Sequence, residues 1–336
     1  MRAAVLHRHG DLDELVFEPS WPDPSPGPGD VVLRVRACAL NYHDVFTRRG
    51  MPGIKVPLPL IVGIDLAGEI VSLGDGVEGW SVGDRVLVDP FDRVKGGLTG
   101  ETYDGGLAEF ARIPAYQLVR LDDDVTMQAA ASLPVAYGTA YRMMLTRGEI
   151  AAGETVLILG ASGGVGTCCV QLAKQAGATV IAAASSAEKL DRLRELGADE
   201  VINYAEGDWV AECHRRFGKA RVFGKGGGVD VVVNFTGGET WTKSLRVLRK
   251  GGRLLTCGAT AGYDPKEDIR YIWSFELDIR GSNAWAREDV HALLAMVRDG
   301  RLKPSLHPET FPLERARDAM RLLDERAVWG KVIVTP

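Results

Sequence analysis

Val156-Leu157-Ile158-Leu159-Gly160-Ala161-Ser162-Gly163-Gly164-Val165-Gly166 passes from an unbroken apolar run into a cluster of small residues. Its apolar run fits a parallel strand buried on both faces. Small residues then make a tight turn, and 165–176 reads as a helix. Such a junction aims several backbone N–H groups and the positive end of a helix at one point, which suits a phosphate. Gly163 and Gly164 leave room for a pyrophosphate against the backbone, and Gly166 lets the helix press on the strand. Ala161 holds the first glycine position of the Gly-x-Gly-x-x-Gly pattern, which is therefore met only loosely. Alone, the turn reads equally as an ordinary strand-to-helix junction of an α/β protein.

Downstream, the same grammar repeats. Strand 155–159 with helix 165–176 is followed by strand 179–183 with helix 187–196, then strand 200–203 with helix 206–217. Strand 229–234 with helix 239–249, strand 253–258 and an edge strand at 277–282 complete a doubly wound sheet with helices on both faces. Upstream, residues 1–125 are rich in Val, Gly and Pro. Strands fit 3–6, 31–37, 66–73 and 83–88, and the proline-rich run from Ser20 to Asp30 is a loop, because proline lacks the backbone donor. Short strands with this punctuation predict a barrel-type β domain. Met127 to Leu145 has helical spacing, broken by Pro134 and Gly138. Helices 287–299 and 313–326 lead to a last strand, 331–335, that rejoins the first domain. The expected division is 1–126 with 285–336, and 127–284, with ligand in a cleft.

The 336 residues suffice for two such domains. A net charge of −5 gives no basic character for nucleic acid or anionic membrane, and no run is long and apolar enough to span a bilayer. No signal-peptide core follows Met1, so the expected location is cytoplasmic. The five cysteines (Cys38, Cys168, Cys169, Cys213, Cys257) are odd in number and scattered, which is neither a disulfide framework nor a zinc ribbon. The stretch 213–228, with His214, Arg215, Arg216, Lys219, Arg221 and Lys225 among glycines, reads as a solvated loop or as a contact for an anionic substrate handle such as a coenzyme A phosphate.

Asn41-Tyr42-His43-Asp44, Gly63-Ile64-Asp65-Leu66-Ala67-Gly68, Val82-Gly83-Asp84-Arg85-Val86, Gly105-Gly106-Leu107-Ala108-Glu109, Leu133-Pro134 with Thr139-Ala140-Tyr141, the glycine turn, Leu196-Gly197-Ala198-Asp199 and Gly330-Lys331-Val332 occur in an order and spacing that resemble the medium-chain dehydrogenase/reductase superfamily. The resemblance is to its zinc-free quinone oxidoreductase and enoyl reductase branch and covers nearly the whole chain. It implies a GroES-like β-barrel-type catalytic domain, a Rossmann domain and a homodimer paired through the edge strand near 277–282. Zinc-dependent members carry ligands where this chain has Asn41, Ile64 and about Val135. Ile and Val are no ligands and Asn is a poor one, whereas catalytic zinc needs three protein donors; no metal is expected. Asp89 to Asp104, without cysteines, stands where those members have a structural zinc lobe.

A sheet selective for NAD places Asp or Glu at the end of its second strand to hold the ribose 2′-hydroxyl. Here that place reads Ala182-Ala183-Ala184-Ser185-Ser186. With no carboxylate to repel it, a 2′-phosphate fits, and the expected cofactor is NADPH. Ser185, Lys189 and Tyr204 match the 2′-phosphate contacts of the resembled branch, and Arg326 matches a late Arg there; the alternative is that Lys189 and Arg326 are surface charges. Gly160, Ser162, Gly163, Gly164 and Val165 would hold the pyrophosphate, with Lys331 approaching it. Thr139, Phe235, Thr236, Gly258, Ala259 and Thr260 would flank the nicotinamide and ribose, and Ser282 and Asn283 would offer backbone groups to the carboxamide.

Without a strong Lewis acid, the chemistry that fits is hydride delivery to a C=C bond conjugated to a carbonyl, or to a quinone. There the developing enolate needs only hydrogen-bond donors. The candidate donors are Asn41, Tyr42 and His43. The tyrosine acid of some enoyl reductases is missing, since its places hold Phe46 or Pro52, so Tyr42, His43 or water protonates the product. Tyr42 reads equally as a packing aromatic, and His43 as structural. The expected substrate is a small molecule: a quinone, an enone or an enoyl thioester. The alternatives are a carbonyl or alcohol dehydrogenase, and a non-catalytic NADPH-binding protein.

Overall fold

The computed structural model describes residues 1–336 as two units, Met1–Ala136 with Arg287–Pro336, and Tyr137–Ala286. The first unit runs past residue 126, where the change of grammar suggested a boundary. Helix Met127–Ala131 lies on the sheet of that unit, its buried Ala130 and Ala131 allowing a close approach.

In the first unit, β1 (Ala3–Leu6), β2 (Leu15–Glu18), β3 (Asp30–Leu40), β4 (Leu60–Ile61), β5 (Asp65–Leu73), β6 (Arg85–Val88), β7 (Phe110–Pro114) and β8 (Leu118–Arg120) come first in the chain. β3 is the organising strand. It pairs antiparallel with β5 along nearly its whole length on one edge, and with β7 through Asp30–Arg34 on the other. Its alternation puts Val31, Leu33 and Val35 into a core with Leu66, Ile70, Val86, Val88, Ile113 and Leu118, while Arg34 and Arg36 stay outside. β1 joins β2 and β4 in a small separate sheet.

The second unit holds β9 (Thr155–Leu159), β10 (Thr179–Ala184), β11 (Glu200–Asn203), β12 (Val229–Val233), β13 (Leu248–Thr256) and β14 (Asp278–Gly281). They form one parallel sheet in the order β11-β10-β9-β12-β13-β14. The order reverses between β9 and β12, and ligands of such sheets bind at the C-terminal strand ends around that point. Val156 to Leu159 are buried, as a strand covered by helices requires.

The chain then returns to the first unit. Helix Arg287–Arg298 is followed by β15 (Leu306–Pro312), which the sequence did not suggest, because Pro308 and Pro312 mask it. β15 runs parallel to β16 (Lys331–Thr335), and β16 pairs antiparallel with Cys38–Leu40 of β3, completing the edge that β7 begins. Between β15 and β16, helix Ala316–Asp324 packs on helix Tyr42–Arg49, where the buried Arg48 is paired with Asp324 at 2.7 Å. That helix starts at 316 rather than 313, after a single tight turn. The segment from Met127 is not interrupted at Pro134 as expected. Wide helical turns at Leu133–Gly138 and Arg142–Arg147 carry it on. The helix expected from 206 starts at Trp209, because Asp208 accepts the Val210 and Ala211 N–H groups as its cap.

Candidate active site

β3 ends at Leu40, and the chain enters helix Tyr42–Arg49 at the extended residue Asn41. Asn41 and Asp44 have the spacing of a helix start. The Asn41 N–H donates to Asp44 Oδ2 at 2.7 Å, while Asp44 Oδ1 accepts the N–H groups of Gly63 and Ile64 at 3.2 and 3.1 Å. One buried carboxylate thus stitches the helix start to the loop that leads into β5. The Asn41 side chain is engaged on every side. Its Nδ2 donates to Asp65 Oδ2 at 2.9 Å and to the Ala39 carbonyl at 3.3 Å, and its Oδ1 accepts from Lys331 Nζ at 2.5 Å. Lys331 also lies 3.2 Å from Asp65 Oδ2, and the Val135 N–H donates to Asp65 Oδ1 at 3.1 Å. Asp65 is 0 % exposed, Lys331 2 % and Asn41 6 %. An ion pair this dry survives only with its remaining hydrogen bonds satisfied, and Asn41 and the Val135 N–H supply them.

This arrangement bears on two expectations. Lys331, expected near a pyrophosphate, commits its ammonium to Asn41 and Asp65. Asn41, expected to donate to the acceptor, has both amide hydrogens directed inward. The positions of the three zinc ligands also acquire a definite chemistry. Asn41 is bonded to an ammonium, Ile64 is wholly buried and has no donor, and Val135 contributes only its N–H. That donor set does not fit a tetrahedral zinc.

Charge in this cluster is shaped by burial. Burial pushes the Asp44 carboxyl up to about 6, against the Asn41 N–H, which favours the charged form. Burial likewise raises Asp65, with the Lys331 ammonium opposing, and holds the Cys38 thiol well above its ordinary value, so it is no nucleophile. For His43, burial acts downward, but the hydrogen bond and charge of Glu101, helped by Asp44, prevail and the imidazole is raised. His43 Nε2 lies 2.5 Å from Glu101 Oε2. Glu101 belongs to the 89–104 stretch, whose Gly100 presses so closely on Gly63 that a Cβ would come within 2.7 Å of its carbonyl carbon. Sequence reasoning missed Glu101, since nothing local marks it. Tyr42 is half-buried, its ring edge-on to Phe46 at 5.1 Å.

In the second unit the glycine turn forms as its sequence suggests. Gly160 has φ 67°, and a Cβ on Gly166 would meet Ala161 Cα at 2.5 Å, so neither tolerates a side chain easily. Gly163 precedes helix Gly164–Gln175 with open space, where an added Cβ would meet only the Gly160 carbonyl oxygen, at 3.7 Å. Ser162 is buried, and Val165 is half-buried beside Gly164. The expected contacts gather at the C-terminal strand ends. Ser185 is exposed after β10, and Ser186, not Ser185, caps helix Ala187–Glu195 by accepting the Lys189 N–H. Lys189 is half-buried, and burial lowers its ammonium against the pull of Glu188. Tyr204, exposed after β11, donates its N–H to the Ala184 carbonyl.

After β12, Phe235 and Thr236 lie over Gly160, 3.3 and 3.4 Å from where its Cβ would be. The buried Asn234 shapes that loop by accepting the Thr236 and Gly237 N–H groups. Gly258, Ala259 and Thr260 fold beside it, with the Thr260 N–H donating to the Phe235 carbonyl. After β14, the Ser282 Oγ is buried with no partner in the protein, next to Asn283. An open backbone at a helix start, an orphaned hydroxyl and a strand end without carboxylate together fit a phosphorylated dinucleotide. Thr139 opens the short turn Thr139–Tyr141. Arg326 lies exposed beyond helix Ala316–Asp324, in the first unit.

Residues 27–123 match the family described as alcohol dehydrogenase GroES-like domain, and residues 164–299 the family described as zinc-binding dehydrogenase. The chain is 32 % identical to the crotonyl-CoA carboxylase/reductase of Cereibacter sphaeroides, over 91 % of this chain and 80 % of that protein. It is 30 % identical to the chloroplastic NADPH-dependent alkenal/one oxidoreductase of Arabidopsis thaliana, over 100 % and 80 %. A solved structure described as an NAD-dependent alcohol dehydrogenase superposes with a TM-score of 0.91 at 34 % identity, each chain fully covered. The chain therefore belongs to the medium-chain dehydrogenase/reductase superfamily of nicotinamide-dependent oxidoreductases, in its quinone oxidoreductase and enoyl reductase branch.

Proposed function

We propose that the protein is an NADPH-dependent reductase of activated double bonds, acting on enones, enoyl thioesters or quinones without zinc. The observation that carries this reading is the set Asn41–Asp65–Lys331: an amide, a carboxylate and an ammonium bonded to one another where a Lewis acid would need free ligands. The names of the two relatives, one a crotonyl-CoA carboxylase/reductase and the other an alkenal/one oxidoreductase, point the same way.

The reduced nicotinamide supplies hydride when bound. Gly160, Ser162, Gly163, Gly164 and Val165 hold the pyrophosphate; Ser185, Lys189 and Tyr204 take the 2′-phosphate; Phe235, Thr236, Gly258, Ala259, Thr260, Ser282 and Asn283 orient the rest. The acceptor needs a donor at its carbonyl oxygen, where negative charge grows as its β-carbon is reduced. Asn41 is bonded inward and the His43 Nε2 is held by Glu101, whereas the Tyr42 ring lies edge-on to Phe46 and its hydroxyl makes no hydrogen bond within the protein. Tyr42 therefore fills the donor role. The protein works as a cytoplasmic homodimer.

The test is cofactor oxidation with a panel of enones, enoyl thioesters and quinones, NADPH against NADH. Turnover of at least one acceptor class with preference for NADPH is expected. Folded protein that binds NADPH yet reduces none of them is a non-catalytic binder, and reduction of saturated ketones alone makes it a carbonyl dehydrogenase.

A further inference from the structure

Lys331 opens β16, nearly three hundred residues after Asn41, yet its ammonium ends on the Asn41 amide oxygen. The stem is buried with the head, so the charge cannot reach water as a lysine ordinarily does. Asp65, at the first position of β5, is the counter-charge, and it also receives the Asn41 Nδ2 hydrogen. The three groups close a ring: Lys331 donates to Asn41, Asn41 donates to Asp65, and Asp65 pairs with Lys331. Charge fixes which way the Asn41 amide faces, because the ammonium can donate only to its oxygen and the carboxylate can accept only from its NH₂.

Asn41 is also the last residue before helix Tyr42–Arg49, and its N–H is bonded to Asp44. The ring thus pins β3, β5 and β16 to one residue, and that residue sets the direction in which the helix leaves the sheet. Tyr42 is the next residue. We propose that Lys331 is a positioning residue: with Asp65 it locks Asn41 and through it aims the Tyr42 hydroxyl at the acceptor. The reaction to which this contributes rests on the function proposed above; the locking of Asn41 does not.

A single removal of either charge strands the other in a dry interior, so the informative variant removes both: Asp65→Asn with Lys331→Met keeps the shapes and leaves no buried charge unpaired. Two readouts are taken. Asn41 is one of four asparagines, with Asn203, Asn234 and Asn283, so selective ¹⁵N-asparagine labelling resolves its side-chain amide, assigned with Asn41→Gln. In the wild type that amide should exchange slowly with solvent; in the double variant exchange should quicken while the melting temperature stays near wild type. In the same variant kcat with the best acceptor should fall about a hundredfold, the scale of a small misplacement of a reacting group, with KM for NADPH unchanged.

An Asn41 amide that exchanges fast in the wild type, or stays equally protected in the double variant, overturns the lock. Loss of protection with kcat retained overturns the positioning role. A double variant that loses kcat and melting temperature together is compared with Lys331→Met alone: equal losses in the two overturn the proposal, since a lock made by the pair predicts recovered stability in the double. A wild type that reduces no acceptor refutes the proposed function and leaves the exchange comparison to decide the lock.

Discussion

Tyr42→Phe deletes a hydroxyl and leaves the ring against Phe46, so it separates the donor role of Tyr42 from its packing role. Loss of a positioned acid or donor costs about a hundredfold or more in rate. We expect kcat for enone reduction to fall by about that factor with NADPH affinity unchanged; an unaltered kcat would return Tyr42 to the packing aromatics. Lys189→Ala tests the cofactor at the same scale. A charged hydrogen bond contributes about 1.5–3 kcal/mol, so KM for NADPH should rise roughly tenfold to a hundredfold while KM for NADH stays put. Equal rises for both would place Lys189 among residues that only shape the helix. At this scale the sequence was readable where a residue's neighbours in the chain define its job: Ala184-Ser185 ending a strand without a carboxylate, or Asn41 three before Asp44. It was opaque where the partner is remote. Nothing near Lys331 in sequence announces Asn41, and nothing near Glu101 announces His43.

Between elements, helix Tyr42–Arg49 and the 89–104 stretch are joined by His43 and Glu101, and that joint is sensitive to pH. The folded state raises His43 above its ordinary 6.5. Its contribution to stability is therefore complete below that value and is lost as pH climbs through the raised one. Asp44, raised from 3.8 to about 6, acts in the same sense over a lower window. Glu101→Gln removes only the first effect. The difference in melting temperature between wild type and this variant should be larger at pH 5 than at pH 8.5; a difference that does not change with pH would show that the pair is not ionic. Elements with strong periodicity, such as β9 and helix Gly164–Gln175, follow from the sequence to within a residue. The segment after Met127 does not, because wide turns let a helix run through Pro134, whose missing N–H would break a regular one. β15 was invisible for the converse reason: prolines at 308 and 312 suit an edge strand only, and only the fold makes it one.

For the whole molecule, β14 is the edge of the six-stranded sheet and carries the exposed Ile279; Ile269 and Trp273, just upstream, are exposed as well. An unpaired sheet edge with exposed apolar side chains on and beside it invites a second copy. Light scattering should report a dimer that Ile279→Lys shifts toward monomer without altering the fold; a monomeric wild type would contradict the homodimer. The two-domain α/β architecture was legible because strand-and-helix alternation and glycine punctuation are chain-wide signals. The acceptor was not, because the candidate site joins residues remote in sequence, as Asn41, Asp65 and Lys331 are. Following the hydride itself distinguishes reduction of the double bond from reduction of the carbonyl. NADPH deuterated at C4 of the nicotinamide is oxidised with an α,β-unsaturated ketone, and the product is read by NMR. Reduction of the C=C bond puts deuterium on the carbon β to an intact carbonyl; deuterium on the carbonyl carbon of an allylic alcohol would show a carbonyl reductase instead.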